Sequence, residues 1–365
     1  MQNPTVSFVV PCYKLAHLLP ECVNSILGQT YRDLEILIMD DCSPDNTAEV
    51  AASFGDPRVK HIRNDPNLGH LRNYNKGIGL SRGRYLWLIS ADDYLRKPYV
   101  LERYIAVLEG NPRAGYAFCP GFGILNGRET QIMGRYPVRG QRDRIVRGHV
   151  LLHKLLYSNF VLAASGLVRR ECYDRLGAFP LDMPWAGDWY LWCLFALHYD
   201  AAYLDEPMVC YRTHELSMTN KLFKEDVATC CEEDVRIPWT IKRKADEAGF
   251  RDVSRDCLDA VAQVYARTIA TKLYGMSKPS LTLEQFEESL CRHSSNQRER
   301  ERVRGRVYAG VGNEYYWQAE AALAKEFYGR AVEKDPWMLA VRIKRLLLSL
   351  GKSGDYVRKR ILSSP

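Results

Sequence analysis

Tyr85–Leu95, YLWLISADDYL, is apolar at nearly every position and then sets two carboxylates, Asp92 and Asp93, against the end of that run. A strand apolar on both faces belongs inside a parallel sheet. Taking a charge out of water is costly unless something pairs with it. The stretch therefore predicts a central strand whose end carries an acidic pair short of a cation.

The segments before it follow the same logic. TVSFVVPCY (5–13) and LEILIMDD (34–41) are apolar runs rich in β-branched residues, and between them Leu15, Leu18, Leu19, Cys22, Val23, Ile26 and Leu27 recur at helical spacing. DCSPDNTAEVAASFG (41–55) opens on turn residues and caps, VKHIRND (59–65) predicts a strand, and LGHLRNYNKGIGLS (68–81) predicts a helix. Alternation of this kind predicts an α/β fold with a mostly parallel sheet covered by helices. Ligands of such sheets sit beyond the carboxyl ends of the strands, here Pro11–Tyr13, Asp40 with Asp41, and Ser90–Asp93.

Residues 126–147, rich in Gly and Arg, predict a long mobile loop over that crevice. Helix (148–158), strand (161–170) and helix (171–177) patterns follow, then GDWYLWCLFALHY (187–199) and AAYLDEPMVCYRTHELSMT (201–219). From about residue 221 the pattern is helical throughout, with a turn-rich break at GMSKPS (275–280). Two domains are expected, 1–220 and 221–365. Residues 1–220 carry 24 basic and 23 acidic side chains and residues 221–365 carry 27 and 21, so nearly all of the net +7 lies in the second part. The basic residues are scattered and do not form a nucleic-acid patch. Eleven cysteines without a C-x-x-C pair predict reduced thiols and neither a zinc site nor a disulfide framework. No run is long enough to span a bilayer and no secretion signal opens the chain, so a cytoplasmic protein is expected.

Four blocks, 6–47, 69–93, 186–197 and 211–219, resemble in their order the family 2 inverting glycosyltransferases of the GT-A fold. The resemblance implies transfer of a sugar from a nucleotide-diphosphate donor, most simply a UDP-sugar, to a hydroxyl of a glycan, lipid-linked or polypeptide acceptor. It also implies roles for particular residues. Pro11 and Tyr13 lie where the nucleobase is held, with Tyr13 as stacking partner; Asp41 is the acceptor for a base N–H, and Arg72 lies over the base or phosphate. Asp92 falls near the ribose, and Asp93 on a Mg²⁺ or Mn²⁺ ion bridging the phosphates. His214 matches a position that binds metal or diphosphate, and Arg212 beside it is suited to neutralising the leaving phosphates. Asp188, before an aromatic-rich helix, is the expected general base. The sequence departs from the family's acid-x-acid-acid pattern at Ser90.

Each residue also has a structural reading. Asp40, Asp41 and Asp45 could be turn and cap residues, Asp92 and Asp93 caps of the helix after Lys97, Asp188 a plain N-cap, His214 a hydrogen-bonded residue, Arg72 the partner of an acid on its own helix, and Tyr13 a packing residue. A helix N-terminus favours an ionised Asp188 and so weakens the base, while burial beside Trp185 and Trp189 opposes that. Val311–Pro336 resembles one tetratricopeptide unit, within a helical region around 305–350, and such units stack on neighbours or a second subunit. The basic stretch 337–365 reads as a solvated amphipathic cap, with peripheral contact to anionic lipid at the inner membrane face as its functional reading. Rival functions are a sugar nucleotidyltransferase, disfavoured because no glycine-rich loop follows the first strand, and a non-catalytic scaffold binding partners through its helical part.

Overall fold

The structure, a computed structural model, describes residues 3–137, 140, 142–214, 217–270 and 281–349. It divides into two compact units, 1–222 and 223–365. In the first unit β1 (Val6–Cys12), α1 (Leu19–Leu27), β2 (Leu34–Asp40), α2 (Thr47–Ala52), β3 (Val59–Arg63), α3 (His70–Leu80) and β4 (Tyr85–Leu88) alternate as expected. The chain continues through β5 (Tyr94–Leu95), α4 (Val100–Glu109), β6 (Ala114–Phe118), β7 (Gly121–Leu125), β8 (Arg128–Met133), β9 (Arg144–Val146), α5 (Gly148–Leu155), β10 (Leu167–Arg169), α6 (Arg170–Leu176), α7 (Gly187–His198), β11 (Asp200–Tyr203) and β12 (Val209–Arg212).

The described strands form two sheets, β3-β2-β1-β4-β10-β6-β11-β9 and β5-β12-β7-β8. β1 pairs in parallel with β2 on one side and β4 on the other, so strand order reverses there and a crevice opens beyond their carboxyl ends. β10 is antiparallel to both neighbours, making the sheet mixed. The fold is thus a mixed sheet flanked by helices. β1 and β2 are buried along their whole length. Trp87 fixes the centre: it stacks on Phe8 (5.5 Å), lies 4.7 Å from the Tyr104 ring, and donates Nε1–H to the Ala164 carbonyl (2.8 Å).

Two expectations need correction. Residues 126–147 are not one loop, because β8 pairs antiparallel with β7 and β9 with β11. Asn126 (φ 51°) and Gly127 (φ 73°) make a two-residue hairpin with Leu125 opposite Arg128, the left-handed pair such a turn requires. Residues 138, 139 and 141 of that stretch lie outside the described ones. The strand expected over 161–170 shortens to β10, preceded by a single 3₁₀ turn at Ala163–Ser165.

The described part of the second unit is helical, and α8 (Met218–Glu225) leads into it from the first. α9 (Val227–Glu247), α10 (Arg251–Ala270), α11 (Leu283–His293), α12 (Gln297–Trp317), α13 (Ala321–Lys334) and α14 (Leu339–Ser349) follow. Between α12 and α13 a Cβ on Gly312 would come within 2.6 Å of the Tyr328 ring, so the close approach of the pair requires glycine there. The break expected at 275–280 and residues 350–365 of the basic stretch lie outside the described residues. Among the described residues no helix is long and apolar enough to cross a membrane.

The base of the large sheet is tied by one polar knot. The Ser7 hydroxyl donates to Glu35 (2.8 Å) and accepts from the amides of Arg82 (3.1 Å) and Gly83 (2.7 Å), while Lys60 and Arg82 pair with Glu35. A Cβ on Gly83 would lie 2.5 Å from the Ser7 nitrogen and 2.7 Å from the Val6 carbonyl carbon, both backbone atoms that cannot yield cheaply. Gly83→Ala is expected to cost about 1–3 kcal/mol, read as a lower midpoint in urea unfolding.

Candidate active site

The run Tyr85–Asp93 keeps its sheet bonds past the end of β4: Ile89 donates to the Val9 carbonyl and Ala91 to the Pro11 carbonyl, both at 3.0 Å. The chain then turns, with the Asp93 amide on the Ser90 carbonyl (3.0 Å). Pairing of β5 with β12 brings the Arg212 amide to Asp93 Oδ1 (2.9 Å). His214 Nε2 lies 2.9 Å from Asp92 Oδ2. The Arg212 guanidinium bonds the Asp92 carbonyl (2.6 Å), pairs with Glu21, and lies 4.9 Å over the Tyr94 ring. It therefore braces the backbone of the pair. The helix after Lys97 is entered at Tyr99, so neither Asp92 nor Asp93 caps it.

Both acids are nearly sealed from solvent, at 9% and 4% exposure. Asp92 Oδ1 is buried without a hydrogen-bond partner among the described residues. Burial pushes the Asp93 carboxyl well above the usual carboxylate range and the charge of Asp92 adds to it, against the Arg212 amide. Among the described residues no three His, Cys, Asp or Glu side chains converge into a metal cluster. An orphaned carboxylate oxygen beside a second carboxylate fits a hard cation that takes its remaining ligands from a bound molecule, as Mg²⁺ commonly does.

At the neighbouring strand ends Tyr13 is exposed (44%) with Lys14 5.1 Å from its ring centre, and Pro11 is a buried strand residue whose carbonyl serves the turn at Ala91. Asp41 Oδ1 accepts from Asn64 Nδ2 (2.9 Å) and the Leu68 amide (2.8 Å), and Oδ2 from the Gly69 amide (3.0 Å). Its turn-forming reading is therefore realised, and Oδ2 retains capacity for one more donor. Asp40 is occupied by the Ser43 amide, His61 and Arg63, and Asp45 by Ala16 and Thr47. Arg72 is exposed on α3, which contains no acidic residue to pair with it.

Asp188 is the second residue of α7, whose cap position is Ala186, so it is a first-turn acid and not the cap. Its Oδ1 accepts from the Trp189 amide (2.7 Å) and its Oδ2 from Asn159 Nδ2 (3.3 Å). Burial pushes its carboxyl up to about 6, against those two donors and its own backbone amide. Burial thus outweighs the helix terminus. Asp92, Asp93, Ser90 and Asp188 line one cavity of about 170 Å³, together with Tyr74 and Tyr211. Tyr13, Asp41, Arg72, Arg212 and His214 are not part of its lining.

Sequence reasoning passed over the inward side chains of α3. Asn73 bonds the Met39 carbonyl and Asn64 (both 2.8 Å), tying the helix to β2. Asn75 takes both backbone groups of Phe179 (2.8 and 2.9 Å), and His70 Nε2 bonds the Pro184 carbonyl (3.0 Å), tying it to the segment before Asp188. The available signal was compositional: RNYNK puts two asparagines inside a helix, where their propensity is poor and another purpose is expected.

Comparison with known proteins agrees with this architecture. The model for glycosyl transferase family 2 matches residues 7–171. An uncharacterised glycosyltransferase of Haemophilus influenzae is 30% identical over 223 residues, covering 59% of this chain and 67% of that one. The Escherichia coli enzyme WfgD, a UDP-Glc:alpha-D-GlcNAc-diphosphoundecaprenol beta-1,3-glucosyltransferase, is 24% identical over 236 residues, 62% of this chain and 83% of its own. Among solved structures, S. aureus TarS 1–349 in complex with UDP superposes with a TM-score of 0.59 at 16% identity, over 95% of this chain and 92% of that one. That likeness concerns the fold.

Asn159→Ala removes a donor to the ionised form of Asp188, so its carboxyl should titrate above about 6, followed by ¹³C NMR. A lower value would show that Asn159 does not act on this oxygen.

Proposed function

We propose, from the premise that the chain belongs to glycosyl transferase family 2 and is a glycosyltransferase, that it is a metal-dependent inverting enzyme using a UDP-sugar donor and a glycan or lipid-linked acceptor, with residues 1–220 as its catalytic domain. The observation that carries the reading is the single cavity lined by the acidic pair on one element and by a carboxyl raised to about 6 on another. At about 170 Å³ it is smaller than the ~300–1,000 Å³ of common ligand sites, which suits the sugar and leaves the nucleotide outside, along the strand ends. There Tyr13 stacks on the base, the spare capacity of Asp41 Oδ2 accepts a base N–H, and the exposed Arg72 covers base or phosphate.

Asp92 and Asp93, with His214 at Asp92, would hold Mg²⁺ or Mn²⁺, which when bound offsets the charge of the donor diphosphate and of the leaving group. Arg212 holds Asp93 and the Asp92 backbone in place and adds positive charge to the same corner. Asp188 takes the proton of the acceptor hydroxyl as its oxygen attacks the anomeric carbon, and the sugar–phosphate bond breaks on the opposite face. A carboxyl titrating near 6 is mostly ionised at neutral pH and more basic than an ordinary aspartate.

Asp188→Asn should keep UDP binding and lose about 10²–10⁴-fold in transfer, scored as UDP release with acceptor present. Asp93→Asn should lose the chelator-sensitive part of UDP binding in calorimetry with Mn²⁺. Wild-type transfer by Asp188→Asn would remove the base from this reading.

The support for a lipid-linked acceptor is α14. Leu339, Ile343 and Leu346 are exposed along one side, Trp337 precedes them at 90% exposure, and the helix carries Arg342, Lys344 and Arg345 without an acid. Vesicles containing anionic lipid should pellet the wild type, and Trp337→Ser with Leu346→Ser should stay in the supernatant. Equal pelleting of both proteins would discard the lipid contact.

A further inference from the structure

Tyr74 belongs to the cavity, yet no role in the mechanism above falls to it. Its ring is held on two sides, by edge contacts to His70 (5.5 Å) and Phe179 (5.4 Å). Both neighbours are themselves fixed, since Asn75 grips the Phe179 backbone and His70 is bonded to the Pro184 carbonyl. A ring held in this way presents its hydroxyl in one place, with little rotamer freedom left to lose on binding.

The residue is half-buried, and its hydroxyl makes no hydrogen bond among the described residues, which leaves it available to a ligand in the cavity. The charges that act on it are Asp92, Asp188 and Asp93. Burial first, and then these carboxylates, hold the phenol proton in place, so the group is a donor throughout the neutral range. An uncommitted donor therefore lines the same cavity as the acidic pair and Asp188.

We infer that Tyr74 is a specificity-determining residue of the transfer reaction, its hydroxyl donating a hydrogen bond to a hydroxyl of the sugar carried by the donor. The inference rests on the function proposed above. The cavity's chemistry selects the occupant: Leu71, Leu88, Ala163 and Ala164 supply apolar wall for the carbon face of a sugar ring, and Asp92, Asp93 and Asp188 leave donors scarce for its hydroxyls. A pocket that hydrogen-bonds a particular hydroxyl rejects analogues lacking it, because its own polar group is then left unpaired.

Tyr74→Phe keeps the ring and both edge contacts and removes only the donor. In calorimetry with UDP the variant should match the wild type within about twofold. With UDP-glucose and UDP-N-acetylglucosamine, on whichever donor the wild type uses, kcat/KM should fall about tenfold, the worth of one such hydrogen bond. Mono-deoxy forms of that donor locate the partner: one should cost the wild type the same factor and cost Tyr74→Phe nothing more. Unchanged kcat/KM in Tyr74→Phe, an equal loss in binding of UDP alone, or a full further loss on every deoxy donor would each overturn the assignment. A wild type that binds no UDP and releases none from any donor would instead overturn the proposed function, and this assignment with it.

Discussion

Two carboxylates next to each other in the chain, both nearly sealed from water, set the terms for this molecule. Burial first, and then the charge of Asp92, push Asp93 toward its neutral form. The surroundings compensate only in part. Backbone amide and guanidinium of Arg212 secure the pair, and His214 meets one oxygen of Asp92, but the other oxygen of Asp92 is left without a partner. A fold that aimed only at stability would have satisfied or removed that oxygen, because an unpaired buried acceptor costs about 1–3 kcal/mol. Its persistence at the point where strand order reverses is better explained by a ligand that arrives with positive charge.

The pair lines one cavity with Asp188, and α3 holds in register the distant parts of the chain that border it. One set of its side chains reaches β2 through Asn73 and Asn64, where Asp41 also binds the loop that enters the helix. Another reaches the segment before α7 through Asn75 and His70. Asparagine is well suited to this work, since one side chain both donates and accepts and can mimic a strand partner for an irregular backbone. The strand ends that would meet the nucleotide and the helix that carries Asp188 are thereby referred to one rigid element.

The order of the first seven elements and the acidic strand end were legible because apolar periodicity and turn residues are local signals. Tyr85–Leu88 and its acids could be read without knowing what they pack against. The β7–β8 hairpin was equally legible in Asn126-Gly127, yet the glycine- and arginine-rich surroundings drew attention to a loop. The partners of α3 were not accessible in this way: Asn75 meets Phe179 and His70 meets Pro184 across more than a hundred residues, and only the finished topology brings them together. The same holds for Arg212, for which sequence position suggested a cationic role at the phosphates, whereas its guanidinium is engaged by Glu21 and the Asp92 carbonyl from the far end of the unit.

Asp188 shows how two opposing local rules are decided by context. Its place in the first turn of α7 puts it in the positive field of the helix terminus, an effect of about 0.3–1 kcal/mol at exposed sites that favours the charged form. Its carboxyl is nevertheless pushed up to about 6, because the removal of water is the larger effect and its hydrogen-bond donors recover only part of it. The role of base proposed for it needs that balance. Fully solvated it would be a weaker base, and without its donors it would hold its own proton to higher pH. The helix terminus and Asn159 thus favour the ionised form of a group that burial has made more basic, as the proposed role requires.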